Sequence, residues 1–153
     1  MKKYCYLLLI VFISCNSRDV RIKKVVDGDS FYTSENIEIR IYGADCPENT
    51  RGHNQPFGLE ATNFTRKLIE GKKVRLITKD HDKYHREVAK VILANGDDLS
   101  ELLIKAGLAF ASKRYSPKSY YNEEIEAKNK RVGLWIQDNP INPYLFRKQY
   151  KNK

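Results

Sequence analysis

Cysteine is nearly missing from the part of this chain that can fold. Of three cysteines in 153 residues, Cys5 and Cys15 lie in an apolar N-terminal stretch, and only Cys46 lies beyond it. One thiol cannot close an intramolecular disulfide, so the fold must stand on its core alone, whatever the compartment. Long apolar runs are scarce too. Tyr4 to Ile13 is the longest, too short to span a bilayer comfortably. A hydrophobic content of 41% beside 31% charged residues excludes a membrane-spanning or disordered class. No internal repeat or low-complexity tract follows that run, and the length fits one domain with a modest core. Acidic residues are in deficit, 19 against 28 basic ones, for a net charge of +9. That excess favours polyanionic partners through phosphate contacts and released counterions. A generally lysine-rich composition would give the same charge, so basicity supports a nucleic-acid partner without proving one.

The N-terminus needs separate treatment. Met1-Lys2-Lys3 is a short positive start, and Tyr4 to Ile13 has the length of a signal-peptide core. It ends at Phe12-Ile13-Ser14-Cys15, with polar Asn16, Ser17 and Arg18 following. This resembles a bacterial lipoprotein signal, with Phe12 where leucine is most common. The expectation is export, with Cys15 lipidated as the mature N-terminus and holding the protein to a membrane. Ordinary cleavage would give a secreted protein instead, and an uncleaved run would serve as an N-terminal anchor. Residues 1–19 are thus assigned to signal and short tether, 20–136 to the folded domain and 137–153 to a basic tail.

Within the domain, Val20 to Val26 reads as a strand entering the Asp27-Gly28-Asp29 turn, and Ser30 to Thr33 as a second strand. Ile37 to Tyr42 alternates Ile, Glu, Ile, Arg, Ile, Tyr, a period of two with one buried face. Arg40 therefore shares the open face with Glu38 and Tyr42. Phe57 to Glu70 has helical spacing and stops at Gly71. Lys73 to Asp80 and Glu87 to Leu93 are two more strands. Asp98 caps a helix from Leu99 to Ala106, Leu108 to Ala111 is an apolar connector, and a third helix carries Tyr121 and Ile125. Five strands and three helices in this order give an α+β, mainly β fold: a five-stranded Greek-key barrel of OB type.

The charges are more specific than the elements. Asp29 and Asp45 stand at the ends of neighbouring strand segments, where a sheet can bring two hard oxygen donors together for a divalent cation such as Ca²⁺. Asp-Gly-Asp alone is ordinary turn chemistry. Asp45 before Cys46-Pro47-Glu48 is less easily dismissed, because Pro47 stiffens the approach of Glu48. Arg40 and Arg86 are the phosphate candidates, since a guanidinium presents a planar fork and stays charged. An anion and a cation sharing one site account for these residues together.

Val25-Val26-Asp27-Gly28-Asp29-Ser30 and Ile39-Arg40-Ile41-Tyr42-Gly43-Ala44-Asp45-Cys46-Pro47-Glu48 resemble the staphylococcal-nuclease (thermonuclease) family. The likeness continues through Gln55 to Ala61, Asp82-Lys83-Tyr84-His85-Arg86, Ala106 to Ala109 and Gly133-Leu134-Trp135. It implies an OB-fold barrel with three helices and a site for one Ca²⁺, acting as a monomer on DNA and/or RNA. On this resemblance Asp29, Asp45 and the backbone carbonyl of Cys46 are the metal ligands, with Asp27 a supporting acid. Glu48 activates the attacking water, and Arg40 and Arg86 clamp the phosphate. Lys83, Tyr84, Lys113 and Tyr115 bind substrate. The implied reaction is in-line attack of water on phosphorus, leaving 3′-phosphate ends. Two positions depart from the family: Cys46 stands where threonine is familiar, exposing a thiol to oxidation, and His85 replaces the glycine before Arg86.

His81 and His85 are four apart, a metal-pair spacing on a helix, yet between two strands they read as a solvated loop. Ten tyrosines suggest a stacking platform, but barrel and helix packing explains most of them. The tail from Arg147 to Lys153 reads as a frayed, dispensable end. The rival to an enzyme is a non-catalytic OB-fold surface lipoprotein that binds nucleic acid through basic and aromatic side chains.

Overall fold

The computed structural model describes residues 17–50, 53–114 and 116–150. The signal segment, Cys15 and Tyr115 lie outside them. The strands and helices run in the order β1 (Ser17–Asp27), β2 (Ser30–Thr33), β3 (Glu38–Ile41), β4 (Ala44–Asp45), β5 (Asn49–Thr50), β6 (His53–Asn54), α1 (Gly58–Ile69), β7 (Lys73–His81), β8 (Glu87–Ile92), α2 (Leu99–Lys105), β9 (Phe110–Ala111) and α3 (Lys118–Asn129), followed by a 3₁₀ turn (Gly133–Ile136) and α4 (Pro143–Tyr150). Strands β1, β2, β3, β8 and β7 close a barrel in that order. Only the β3–β8 pairing is parallel; the other four are antiparallel. This is the five-stranded OB-fold barrel expected from the alternation. Among the described residues no helix is long and apolar enough to cross a membrane.

Alternation decides which face of each strand is buried. Ile39 and Ile41 point inward while Glu38 and Arg40 remain half-buried on the other face. Phe31, Ile39 and Leu76 meet Leu99, Leu103 and Ile104 of α2 in one core. Each such side chain contributes about 1.5–3 kcal/mol through burial. Asp98 caps α2 as expected, accepting from the Ser100 amide at 3.0 Å. A second cluster sets Phe110 of β9 edge-on against Trp135, ring centroids 4.8 Å apart. That contact fixes β9, the strand on which β4 pairs.

Three expectations need correction. The barrel begins earlier than Val20: Ser17, Arg18 and Asp19 pair with Ile77, Leu76 and Arg75 of β7 and are not a tether. Leu108 to Ala111 is not merely a connector, because Phe110 and Ala111 form β9. A fourth helix, α4, replaces the frayed tail, with Phe146 buried against the body. Its start has a physical signal, Asn142 accepting from the Tyr144 amide at 2.9 Å with Pro143 in the first helical position.

Arg18 also closes the barrel seam. Its guanidinium donates to both oxygens of buried Glu87 at 2.9 and 2.5 Å, and Thr78 Oγ1 donates at 2.5 Å. Burial pushes the Glu87 carboxyl up, but the bonds from Arg18 and Thr78 and the Arg18 charge outweigh it, leaving it below its ordinary value of 4.5. The folded value lies below the unfolded one, so this stabilisation is present above that ordinary value and lost as pH falls through the folded one. Between about pH 5 and pH 3, the urea midpoint of the parent is expected to fall more steeply than that of Glu87→Gln. Parallel curves would mean that the Arg18–Glu87 pair adds nothing to folding.

Candidate active site

The Asp27-Gly28-Asp29 turn is built to aim one carboxylate. Asp27 Oδ1 accepts from the Asp29 amide at 3.1 Å and from Ser30 Oγ at 2.6 Å, locking the turn locally. Thr65 Oγ1 of α1 ties the Gly28 carbonyl at 2.7 Å. A Cβ on Gly28 would stand 2.7 Å from Cys46 Cβ and 2.8 Å from Ala61 Cβ. Only glycine permits this approach. Asp29 is thereby 2% exposed, its Oδ2 accepting from the Cys46 amide at 2.7 Å.

Arg40 reaches Asp29 because Ser30 of β2 lies opposite Arg40 of β3. Its Nη1 donates to Asp29 Oδ1 and its Nη2 to Asp45 Oδ1, each at 2.5 Å. Asp45 arrives from β4, held by its pairing with Phe110. Glu48 follows on a segment pinned from both sides: its amide donates to Gln55 Oε1 at 3.2 Å, and its carbonyl accepts from the Gln55 amide at 2.8 Å. Gly58 closes the same seam, since a Cβ there would stand 2.2 Å from the Glu48 carbonyl oxygen.

Sequence reading did not find the residue that completes this group. Arg147 of α4 donates to Glu48 Oε1, and to Asp45 Oδ1 and Oδ2 at 3.2–3.3 Å. Gln55 Nε2 donates to the Ile141 carbonyl, holding the segment before α4 in place. The Asn142-Pro143 helix start was the available signal. Nothing local marks Arg147 itself, which lies 102 positions from Asp45.

Burial, with the charges of Asp27 and Asp45, pushes the Asp29 carboxyl well above the ordinary carboxylate range despite Arg40 and the Cys46 amide. A further cation beside this carboxyl would favour its charged form. The donors here are hard oxygens, which suit Ca²⁺ or Mg²⁺ rather than a soft metal. Asp29 and Asp45 would hold such an ion, with backbone carbonyls and water completing the shell. Among the described residues no three His, Cys, Asp or Glu side chains form a ready metal cage, His81 and His85 included.

The other expected residues are placed as follows. Arg86 is not brought to the carboxylates: it donates to Asp82 at 2.8 Å and faces Glu38 at 3.8 Å. Lys83 Nζ and the Arg86 guanidinium lie 5.0 and 5.6 Å from the Tyr84 ring centroid, a separate basic and aromatic knob with Tyr84 largely exposed. Lys113 is exposed in the turn after β9. The oxidation hazard at Cys46 is corrected. Its thiol is buried, and burial with the nearby Asp29 and Asp27 charges pushes it well above the ordinary thiol range, so it stays neutral and shielded.

His85 stands at φ 64°, the left-handed region where a Cβ is strained. The glycine it replaces suits that conformation. His85→Gly is expected to stabilise the protein by up to about 1 kcal/mol, read as a raised denaturant midpoint. A lowered midpoint would show that contacts of the imidazole outweigh the strain.

Acids and arginines paired beside a closed five-stranded barrel make a charge set that suits a cation and a phosphate together. Residues 38–137 match the family described as staphylococcal nuclease homologue, and the chain belongs to that family. An uncharacterized endonuclease of Haemophilus influenzae is 33% identical, across 95% of this chain and 83% of its own. A second, from Escherichia coli O157:H7, is 27% identical across 96% of this chain and 98% of its own. A thermonuclease of Staphylococcus intermedius is 36% identical across 78% of this chain and 80% of its own.

Proposed function

We propose that the protein is a Ca²⁺-dependent nuclease that hydrolyses phosphodiester bonds of DNA and/or RNA. The observation that carries this reading is Arg40 bonded to both Asp29 and Asp45, with Glu48 joined to Asp45 through Arg147. A Ca²⁺ ion bound by Asp29 and Asp45 would neutralise charge on the scissile phosphate and polarise it. Arg40 holds a phosphate oxygen, and Arg86 supports the substrate from the Tyr84 knob. Glu48 takes a proton from a water aligned opposite the leaving group. The new bond joins the water oxygen to phosphorus, and the bond to the 5′-oxygen breaks. That oxygen leaves as a hydroxyl after gaining a proton, and the phosphate stays on the 3′ end. Lys83, Tyr84 and Lys113 line the approach of the chain by charge and stacking.

The test is cleavage of a labelled oligonucleotide by residues 16–153, with Ca²⁺ or with chelator. Cleavage that disappears on chelation and leaves 3′-phosphate ends supports the reading. Oligonucleotide binding without cleavage under either condition would establish the non-catalytic module instead. We also propose that the protein is exported and anchored through Cys15.

A further inference from the structure

Four carboxylates come together, from Asp27, Asp29, Asp45 and Glu48, and among the described residues the guanidiniums bonded among them are those of Arg40 and Arg147. Arg86 is engaged by Asp82 and Glu38 and does not enter this balance. A divalent cation on Asp29 and Asp45 would bring the group to neutrality, but only with Arg147 counted. Without Arg147 these groups would keep a net negative charge, which disfavours an incoming phosphodiester. Arg147 is also the more open of the two, its side chain 35% exposed against 17% for Arg40. It therefore stands toward solvent, the side from which a polynucleotide arrives.

The two forks share an acceptor. Arg40 reaches Asp45 Oδ1 at 2.5 Å and Arg147 reaches the same atom at 3.2 Å. With the Asp45 oxygens engaged by a cation, donors on both guanidiniums would become free for a phosphate. Adjacent planar forks match the oxygens of one phosphate.

We propose that Arg147 is a phosphate-binding residue of this site, which makes α4 part of the substrate-binding machinery. The preceding residue, Phe146, is buried and lines a cleft with Pro47 and Gln55. The inference rests on the nuclease reading and adds to it an arginine lying outside the matched residues 38–137.

Arg147→Ala and Arg147→Lys, made in the protein used for the cleavage assay, test it by calorimetry. The probes are Ca²⁺ alone, then a deoxynucleoside 3′-phosphate with Ca²⁺, which offers a phosphate and no diester to cut. Arg147→Ala is expected to bind the nucleotide about 10- to 100-fold more weakly, with Ca²⁺ affinity unchanged or tighter. Arg147→Lys keeps the charge and loses the fork, so a smaller loss at an unchanged melting temperature is expected. Nucleotide affinity equal to the parent's in both variants overturns the proposal. So does faster cleavage with tighter Ca²⁺ binding in Arg147→Ala, which would make Arg147 only an inhibitory counter-ion. A parent that binds no Ca²⁺ and cuts nothing overturns the nuclease reading itself, and Arg147 loses its proposed substrate with it.

Discussion

Arg40→Met is expected to abolish cleavage and to weaken the metal-free fold at the same time. Arginines that hold a phosphoryl group are worth about 10³–10⁵ in rate, so activity should fall by that order. The stability loss has a separate cause. Asp29 is 2% exposed and Arg40 is the cation bonded to it. Removing one partner of a buried pair costs about 3–5 kcal/mol, less whatever Asp29 recovers by taking up a proton. Because Ca²⁺ and Arg40 neutralise the same two carboxylates, Ca²⁺ should raise the melting temperature more in Arg40→Met than in the parent. A variant as stable as the parent without metal would show that Asp29 is already protonated there. Arg147 touches Asp45 too, so the effects of Arg40→Met and Arg147→Ala should not add.

Much of the barrel was legible because its strands repeat with a period of two. Ile37 to Tyr42 announced β3 and put Arg40 on the open face, and Asp98 announced the start of α2. Two-residue strands carry no period, so the β4–β9 pairing was invisible, although it delivers Asp45 to Arg40. The motif residues of the family identified Asp29, Asp45 and Glu48 as a set. They could not show that Arg40 holds two of the acids together, or that Arg86 faces Asp82 and Glu38 instead. Arg147 escaped for a different reason. Its helix has only eight residues, and its ion pairs cross about two thirds of the chain, so no local pattern encodes them. His85 was visible as an irregularity, and its positive φ supplies the physical reason a glycine would be at ease there.

Glu48→Gln separates proton transfer from binding, because the amide keeps the size and the acceptor oxygen of the carboxylate but cannot accept a proton at neutral pH. General-base catalysis is worth about 10²–10⁴ in rate, and kcat is expected to fall by that order with KM nearly unchanged. The backbone around Glu48 should not move, since Gln55 holds its amide and carbonyl and neither bond involves the side chain. Calcium affinity should hold as well if Asp29 and Asp45 carry the ion. Arg147 adds a second expectation, for phosphate binding. Its guanidinium is bonded to Glu48 before substrate arrives, and neutralising Glu48 loosens that hold, so phosphate binding should be equal or tighter in the variant. A drop in Ca²⁺ affinity matching the drop in rate would overturn the assignment. It would make Glu48 a third metal ligand, and the water would then need a different base.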